Sequence, residues 1–243
     1  MRNGLTRARA AGVVLAGGSG ARFRAEQNKA YLPLAGRSLA SWSLRSLAAT
    51  PDIGALVLVA RQEDHRTARW IVEREVDDRE VEVVWGGATR QESELNALRH
   101  LAGRIDAGEI DVVVIHDAAR PLASPTLTAG VIHLAREHGG AIPCVPGEDL
   151  VEVDGDGAVT GTHLRRLVRA QTPQAFAAEP LLTSYEAAAR AGFVGTDTSS
   201  CLERFSTVKV HWLMGEAVNL KITYPQDLFL AEQILATAEY DLF

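Results

Sequence analysis

Apolar residues fall along this chain in two alternating rhythms. Short continuous runs, GVVLA (12–16), IGALVLVA (53–60), VEVVW (81–85), VVVIHD (112–117) and AIPCV (141–145), are each bounded by polar or glycine-containing segments. Between them, 38–48, 64–75, 89–103 and 125–137 repeat their apolar positions with a helical period. A run that is apolar at successive positions suits a strand buried on both faces, and a 3.6-residue period suits a helix that covers it. The alternation predicts an α/β fold, a single Rossmann-like, mainly parallel sheet with helices on both faces. Ser38, Asp64 and Ser124 stand where N-caps belong, and Pro125 suits a first helical turn.

The rhythm changes after residue 146. DLVEVDGDGAVTGT holds two short alternating runs about a DGDG turn, where aspartate and glycine tolerate positive φ, so a β-hairpin is expected. A hairpin interrupts β-α alternation and should protrude as an arm over about 146–168, its exposed edges suited to pairing with another chain. A helix near 178–190, a polar loop GTDTSS, a strand TVKVHWL, a short strand NLKIT and a terminal helix over 225–238 follow. With no internal repeat or linker, one domain over 1–243 carrying an arm is the economical expectation.

Composition narrows the function. The chain is 47% hydrophobic and 23% charged with a formal net charge of -6, which disfavours a nucleic-acid-binding surface while allowing a local basic pocket. Cys144 and Cys201 lie far apart, outside any CxxC spacing, so neither a disulfide framework nor a zinc site is suggested. The arginine-bearing N-terminus lacks an apolar stretch of signal-peptide length, and no run approaches a membrane span. A cytoplasmic chain with a frayed leader, and no membrane partner, is the expectation.

Three segments carry chemistry. In GVVLAGGSGARFRAEQNKAYL, Gly17, Gly18 and Gly20 between strand and helix allow backbone N–H groups to bind an anion. Phe23 occupies the third glycine place of a dinucleotide fingerprint, and no GK[ST] follows, so neither common nucleotide motif is met. Arg22 and Lys29 beside such a nest suit a triphosphate; the alternative is a tight turn with surface cations. In VVVIHDAARP, Asp117 and Arg120 fall at a strand's carboxyl end, where open α/β sheets bind ligands; a surface ion pair is the competing reading. Asp117 suits Mg²⁺ or an acceptor hydroxyl and Arg120 a phosphate, whereas His116 suits a core position. In NLKITYPQDL, Lys221 between Leu220 and Ile222 is either an outward strand residue or an inward cation that needs an anion. Two polar stretches add context: GGATRQES (86–93) allows close approach of a base or ribose, and AQTPQAF (170–176) leaves Thr172 extended before proline with a free hydroxyl.

In this order and spacing, LAGGSGARF…NKAYL, HDAARP, QTPQ and NLKIT…P.DL resemble the 2-C-methyl-D-erythritol 4-phosphate cytidylyltransferase family, with ribitol-5-phosphate cytidylyltransferases as near relatives. The resemblance runs from Gly12 to the C-terminal helix and implies transfer of CMP from CTP to a polyol phosphate, with Mg²⁺, in a homodimer joined through the hairpin arm. It implies that Ala16, Gly17, Gly18, Ser19 and Gly20 wrap the CTP phosphates and that Arg22, Lys29 and Lys221 surround the α-phosphate. Gly87 and Ser93 match cytidine-side positions. Asp117, Thr172 and Thr196 match acceptor-side positions, and Arg120 matches a residue that reaches the neighbouring subunit's acceptor phosphate.

The chain departs from the family pattern on the acceptor side. Asp149, Leu150, Val151 and Glu152 replace an Asp-Thr-aliphatic-Lys motif, Leu164 stands at an arginine position beside Arg165 and Arg166, and Thr196-Asp197-Thr198 lacks one acid. Methylerythritol phosphate is the first expectation for the acceptor; another polyol phosphate, or a CTP-binding protein without transfer, is the alternative.

Overall fold

The computed structural model describes residues 8–18, 28–76, 79–147, 151–156, 158–162 and 167–237. In chain order its strands are β1 (Arg9–Leu15), β2 (Pro33–Leu34), β3 (Arg37–Ser38), β4 (Ile53–Ala60), β5 (Glu82–Trp85), β6 (Ile110–Asp117), β7 (Gly139–Pro146), β8 (Val151–Val153), β9 (Val159–Thr162), β10 (Val168–Ala170), β11 (Gln174–Ala177) and β12 (Lys209–Met214). Its helices are α1 (Leu39–Ala48), α2 (His65–Glu75), α3 (Arg90–Asp106), α4 (Pro125–His138), α5 (Ala178–Ala191), α6 (Thr198–Phe205) and α7 (Pro225–Ala236).

The main sheet runs β10-β7-β11-β6-β1-β4-β5, and β12 also pairs with β7. Strands β6, β1, β4 and β5 are mutually parallel and β12 is parallel to β7, while β10 and β11 run against their neighbours. Successive side chains of a strand point to opposite faces, and both faces here are covered. Ala10, Val14, Leu58 and Val114 pack with Leu44, Ile71 and Val131 on one side. Val13, Val57, Val113 and Ile115 pack with Leu98, Leu181 and Leu202 on the other. Each valine, leucine or isoleucine among them contributes about 1.5–3 kcal/mol on burial, which is why these strands are written as unbroken apolar runs. Gly12 serves close packing: a Cβ there would lie 3.0 Å from Leu47 Cδ1 of α1.

The chain leaves β1 for β4 on one side and, through β5 and α3, returns to β6 on the other. Leu15 is therefore in register with Val59 and with Asp117 across a topological switch, where the carboxyl ends diverge and a crevice opens. A third cluster, Leu34, Leu39, Leu122, Ile222 and Ala231, seats α7 and the segment before it beside that crevice.

The hairpin is present. Among the described residues β8 and β9 pair only with each other, in a separate two-stranded sheet, and Asp154 accepts the N–H groups of Asp156 and Ala158 at 3.0 and 2.9 Å to close the turn. Its base is zipped by pairing of Pro146 with Val168 and of Val145 with Arg169. Among the described residues, no helix is long and apolar enough to cross a membrane.

Four expectations need correction. NLKIT is not a strand; its backbone is tied to the turn after β6 through Ile222 N to Ala119 O, at 2.8 Å. GTDTSS is not all loop, because the Asp197 carboxylate accepts the Ser200 N–H at 3.0 Å and starts α6. Asp64 precedes α2 without capping it, since its carboxylate is taken by Arg61 and Asn28. The stretch around QTPQ, expected only as a polar segment, contributes the antiparallel strands β10 and β11, whose burial does not alternate: β10 is exposed throughout and β11 is buried at its first three positions. Ser38 and Ser124 do cap α1 and α4, accepting from Ser41 N at 3.2 Å and Leu127 N at 2.9 Å.

Candidate active site

At the switch point lies a cleft of about 440 Å³, lined by Ala16, Gly17 and Gly18 after β1, by Asn28 and Lys29, by residues 87–90 and Ser93, by Asp117, and by Lys221. Its size suits a small-molecule ligand.

Each wall follows from local chemistry. Ala16 extends β1 by donating to the Val59 carbonyl at 2.8 Å, which leads Gly17 and Gly18 into the cleft. Asn28 accepts from Ala30 N at 3.1 Å and so caps the short 3₁₀ turn Lys29–Tyr31, from which Lys29 Nζ reaches the Ile222 carbonyl at 2.8 Å. Opposite, Gly86 and Gly87 are glycine because a side chain has no room. A Cβ on Gly87 would lie 2.3 Å from Glu92 Cβ, and one on Gly86 would lie 2.7 Å from Ser93 Oγ. Ser93 Oγ accepts from Gly87 N at 3.1 Å and donates to the Thr89 carbonyl at 2.9 Å, fixing the loop to the first turn of α3.

Asp117 is the electrostatic centre. Arg90 Nη1 donates to its Oδ1 at 2.5 Å and Lys221 Nζ to its Oδ2 at 2.7 Å. Burial pushes the carboxyl pKa up, but Arg90 and Lys221 outweigh it and hold Asp117 well below the usual carboxylate range. Lys221 is thus the inward cation, and Asp117 is its anion. For Arg90 burial acts downward, yet Asp117 and Glu94 hold the guanidinium pKa above its ordinary value.

Behind Arg90 lies Glu94, whose carboxylate is almost wholly buried and receives Arg90 Nε at 2.9 Å, Thr198 Oγ1 at 2.8 Å and the Tyr185 hydroxyl. Burial raises the Glu94 pKa, with Arg90, Tyr185 and Thr198 opposing it. Beneath Asp117, His116 is fully buried and its pKa falls to about 4, chiefly through burial, so its ring is neutral. Its Nε2 lies 3.0 Å from the Arg120 carbonyl and must carry the proton, which leaves Nδ1 to accept from the Thr172 hydroxyl at 3.1 Å. The Thr172 oxygen in turn accepts the Asp117 N–H at 3.0 Å.

Of the expected site residues, Ala16, Gly17, Gly18, Lys29, Gly87, Ser93, Asp117 and Lys221 converge on this cleft. Ser19, Gly20 and Arg22 lie outside the described residues, as do Asp149, Leu150, Leu164, Arg165 and Arg166, and the Glu152 side chain is likewise not described. Thr172 does not carry a free hydroxyl; it is buried in the chain from Asp117 to His116. Arg120 does not line the cleft but donates to the Asn219 and Ala170 carbonyls at 2.7 and 3.3 Å. Thr196 is exposed, with its hydroxyl 3.1 Å from Ser200 Oγ. Sequence reasoning missed Arg90, Asn28 and Glu94. Arg90 left a signal, since an arginine at the first position of a helix opposes the helix dipole and needs an anion elsewhere.

The comparisons agree with this architecture. The family model described as 2-C-methyl-D-erythritol 4-phosphate cytidylyltransferase matches residues 10–237. A protein of that name from Geobacter metallireducens is 37% identical over 225 residues, 92% of this chain and 96% of its own. Another from Cereibacter sphaeroides strain KD131 is 38% identical, over 94% of this chain and 97% of its own. The crystal structure of 4-diphosphocytidyl-2C-methyl-D-erythritol synthase from Anaerococcus prevotii superposes with a TM-score of 0.80 at 28% identity, covering 94% of this chain and 96% of that one. With the cleft at the expected switch point and the match extending from β1 to the end of α7, the chain belongs to the 2-C-methyl-D-erythritol 4-phosphate cytidylyltransferase family, whose members are nucleotidyltransferases.

Proposed function

We propose that this enzyme transfers the cytidylyl group of CTP to 2-C-methyl-D-erythritol 4-phosphate, releasing pyrophosphate and forming a CDP-alcohol for isoprenoid precursor synthesis. The observation that carries the reading is the meeting of Lys29 and Lys221 at one cleft, with the glycine end of β1 on one wall and the Gly87–Ser93 loop on the other. The glycine backbone binds phosphates, the Gly87 loop and Ser93 hold cytidine, and the two lysines surround the α-phosphate with Arg22. An acceptor phosphate oxygen attacks the α-phosphorus, its new P–O bond forming as the bond to pyrophosphate breaks.

The nucleophile is already an anion, so no strong base is required. The work is to hold two repelling phosphates in line and to stabilise charge on the α-phosphoryl oxygens. Asp117 holds Lys221 and Arg90 aimed across the cleft, and it yields part of its hold on Lys221 as phosphate enters. Both Asp117 oxygens are engaged by Arg90 and Lys221, so Mg²⁺ would be carried mainly by the triphosphate oxygens, and Asp117, the carboxylate of the cleft wall, could join it only as Lys221 turns to phosphate. When bound, the ion neutralises phosphate charge.

Acceptor recognition completes the reading. Thr172 supports Asp117 from beneath, Thr196 extends the acceptor side, and Arg120 serves the acceptor phosphate of a second copy joined through the β8–β9 hairpin in a cytoplasmic homodimer. Pyrophosphate release from CTP should require 2-C-methyl-D-erythritol 4-phosphate and should be at least about a hundredfold slower with ribitol 5-phosphate, a discrimination that several unpaired polar groups can supply. Equal or faster release with ribitol 5-phosphate would replace the acceptor.

A further inference from the structure

Asn28 touches both halves of the phosphate-facing wall. We infer that Asn28 is the positioning residue that sets the glycine end of β1 against Lys29, an inference that rests on the nucleotide-transfer reading of the cleft. The residue is only 3% exposed although it borders the cleft.

A primary amide offers two N–H donors and one carbonyl acceptor, and all are used. Nδ2 donates to the Ala16 carbonyl at 2.6 Å and to Asp64 Oδ2 at 2.8 Å, while Oδ1 accepts from Ala30 N at 3.1 Å. The reversed amide would face an oxygen toward a carbonyl and a carboxylate, so the orientation is fixed by its partners. Asp64 is itself held by Arg61, Nε to Oδ2 at 2.7 Å and Nη2 to Oδ1 at 3.0 Å, which anchors the clasp to the start of α2.

Two geometric consequences follow. The first bond fixes the carbonyl from which Gly17 and Gly18 depart, so it governs how the backbone approaches phosphate. The third caps the turn whose first residue is Lys29, so it governs where that ammonium starts. No other side chain bonds both Ala16 and this turn among the described residues. A residue that merely filled the core would change stability without separating CTP from acceptor.

The test uses the full-length enzyme with Asn28→Ala, Asn28→Ser and Asp64→Ala. CTP binding is measured by calorimetry without acceptor, turnover by pyrophosphate release, and folding by the thermal midpoint. Asn28→Ala should weaken CTP about tenfold and lower kcat about tenfold, the loss of one buried neutral hydrogen bond in each case, while the KM of the acceptor stays within about twofold. Serine keeps a cap acceptor but cannot reach Ala16, so Asn28→Ser should regain most of kcat and little of the CTP affinity. Asp64→Ala, outside the cleft lining, should give the Asn28→Ala pattern more weakly. Combining it with Asn28→Ala should add little.

The clasp is overturned if Asn28→Ala changes only the thermal midpoint, or if the KM values of CTP and acceptor rise together. Should Asn28→Ala fail to fold, Asp64→Ala with unchanged CTP affinity overturns it instead. A wild-type protein that binds CTP but transfers nothing defeats the transfer reading alone, because the binding arm still decides the clasp.

Discussion

Lys221 Nζ lies 2.7 Å from Asp117 Oδ2, bonding an ammonium from the segment before α7 to a carboxylate at the end of β6. The lysine side chain is 42% exposed and the aspartate side chain 10%, so the cation stands at the mouth and its partner beneath it. A lysine held this way is aimed before a ligand arrives, which is the preorganisation that phosphoryl transfer requires. With Arg90 on the other Asp117 oxygen, two cations share one carboxylate.

Lys29→Ala and Lys221→Ala should each lower kcat about a hundredfold or more, the cost of losing a donor aimed at developing charge. The thermal midpoint should move little for Lys221→Ala, because Asp117 keeps Arg90. Single-turnover pyrophosphate release checks the chemical step directly, and near-normal rates in either variant would remove that lysine from the α-phosphate.

Asp117→Asn should harm both activity and folding. It leaves Arg90 and Lys221 without their shared anion; removing one partner of a buried pair costs about 3–5 kcal/mol, and the exposure of both cations lowers this to about 1–3. Transfer should fall at least about tenfold because Lys221 is no longer aimed. Urea denaturation beside steady-state kinetics separates the two effects. A variant that loses activity with full stability would place Asp117 at the acceptor rather than beneath the cations.

How much of this was legible beforehand follows from where the forces are local. β1, β4 and β6 were readable because burial on both faces leaves only apolar residues, and Ser38 and Ser124 because a cap satisfies its own helix. The 219–223 segment misled because Leu220, Lys221 and Ile222 alternate like a strand while their bonds go to the β6 turn, a partner about a hundred residues away in sequence. Lys221 was ambiguous for the same reason: its direction depends on Asp117, which no local period encodes. Glu94 and Tyr185 were invisible, since a carboxylate on a helix reads as solvated until the second helix is packed against it.

Ser93→Ala should act on nucleotide binding more than on turnover. The hydroxyl supports Gly87 N and Thr89 O, so its loss frees the loop on the cytidine side and leaves a donor unpaired. About 1–1.5 kcal/mol is at stake, or roughly five- to tenfold in CTP affinity, with kcat within about twofold. Calorimetric CTP titration decides it, and a kcat loss exceeding the affinity loss would assign Ser93 to the transition state.

Folding stability should fall as pH drops through the range below neutrality, with His116 a principal cause. Its folded-state pKa, pulled by burial to about 4, lies below the ordinary value of about 6.5. Asp117 and the Arg120 carbonyl oppose that pull, while the Arg120 and Arg90 cations reinforce it. The folded state therefore binds fewer protons than the unfolded chain between those values, so this stability is complete above about pH 6.5 and is lost progressively toward pH 4. The whole window is worth about 3 kcal/mol. The depressed Asp117 carboxyl adds a loss of the same sign at lower pH, and the raised Glu94 carboxyl works in the opposite sense, losing stability as pH rises through its value. Replacing His116 with glutamine, which can still donate to the Arg120 carbonyl, isolates the term. Between pH 7 and pH 5 the wild type should lose about 2 kcal/mol more than His116→Gln in urea denaturation, and parallel profiles would show that His116 does not titrate with folding.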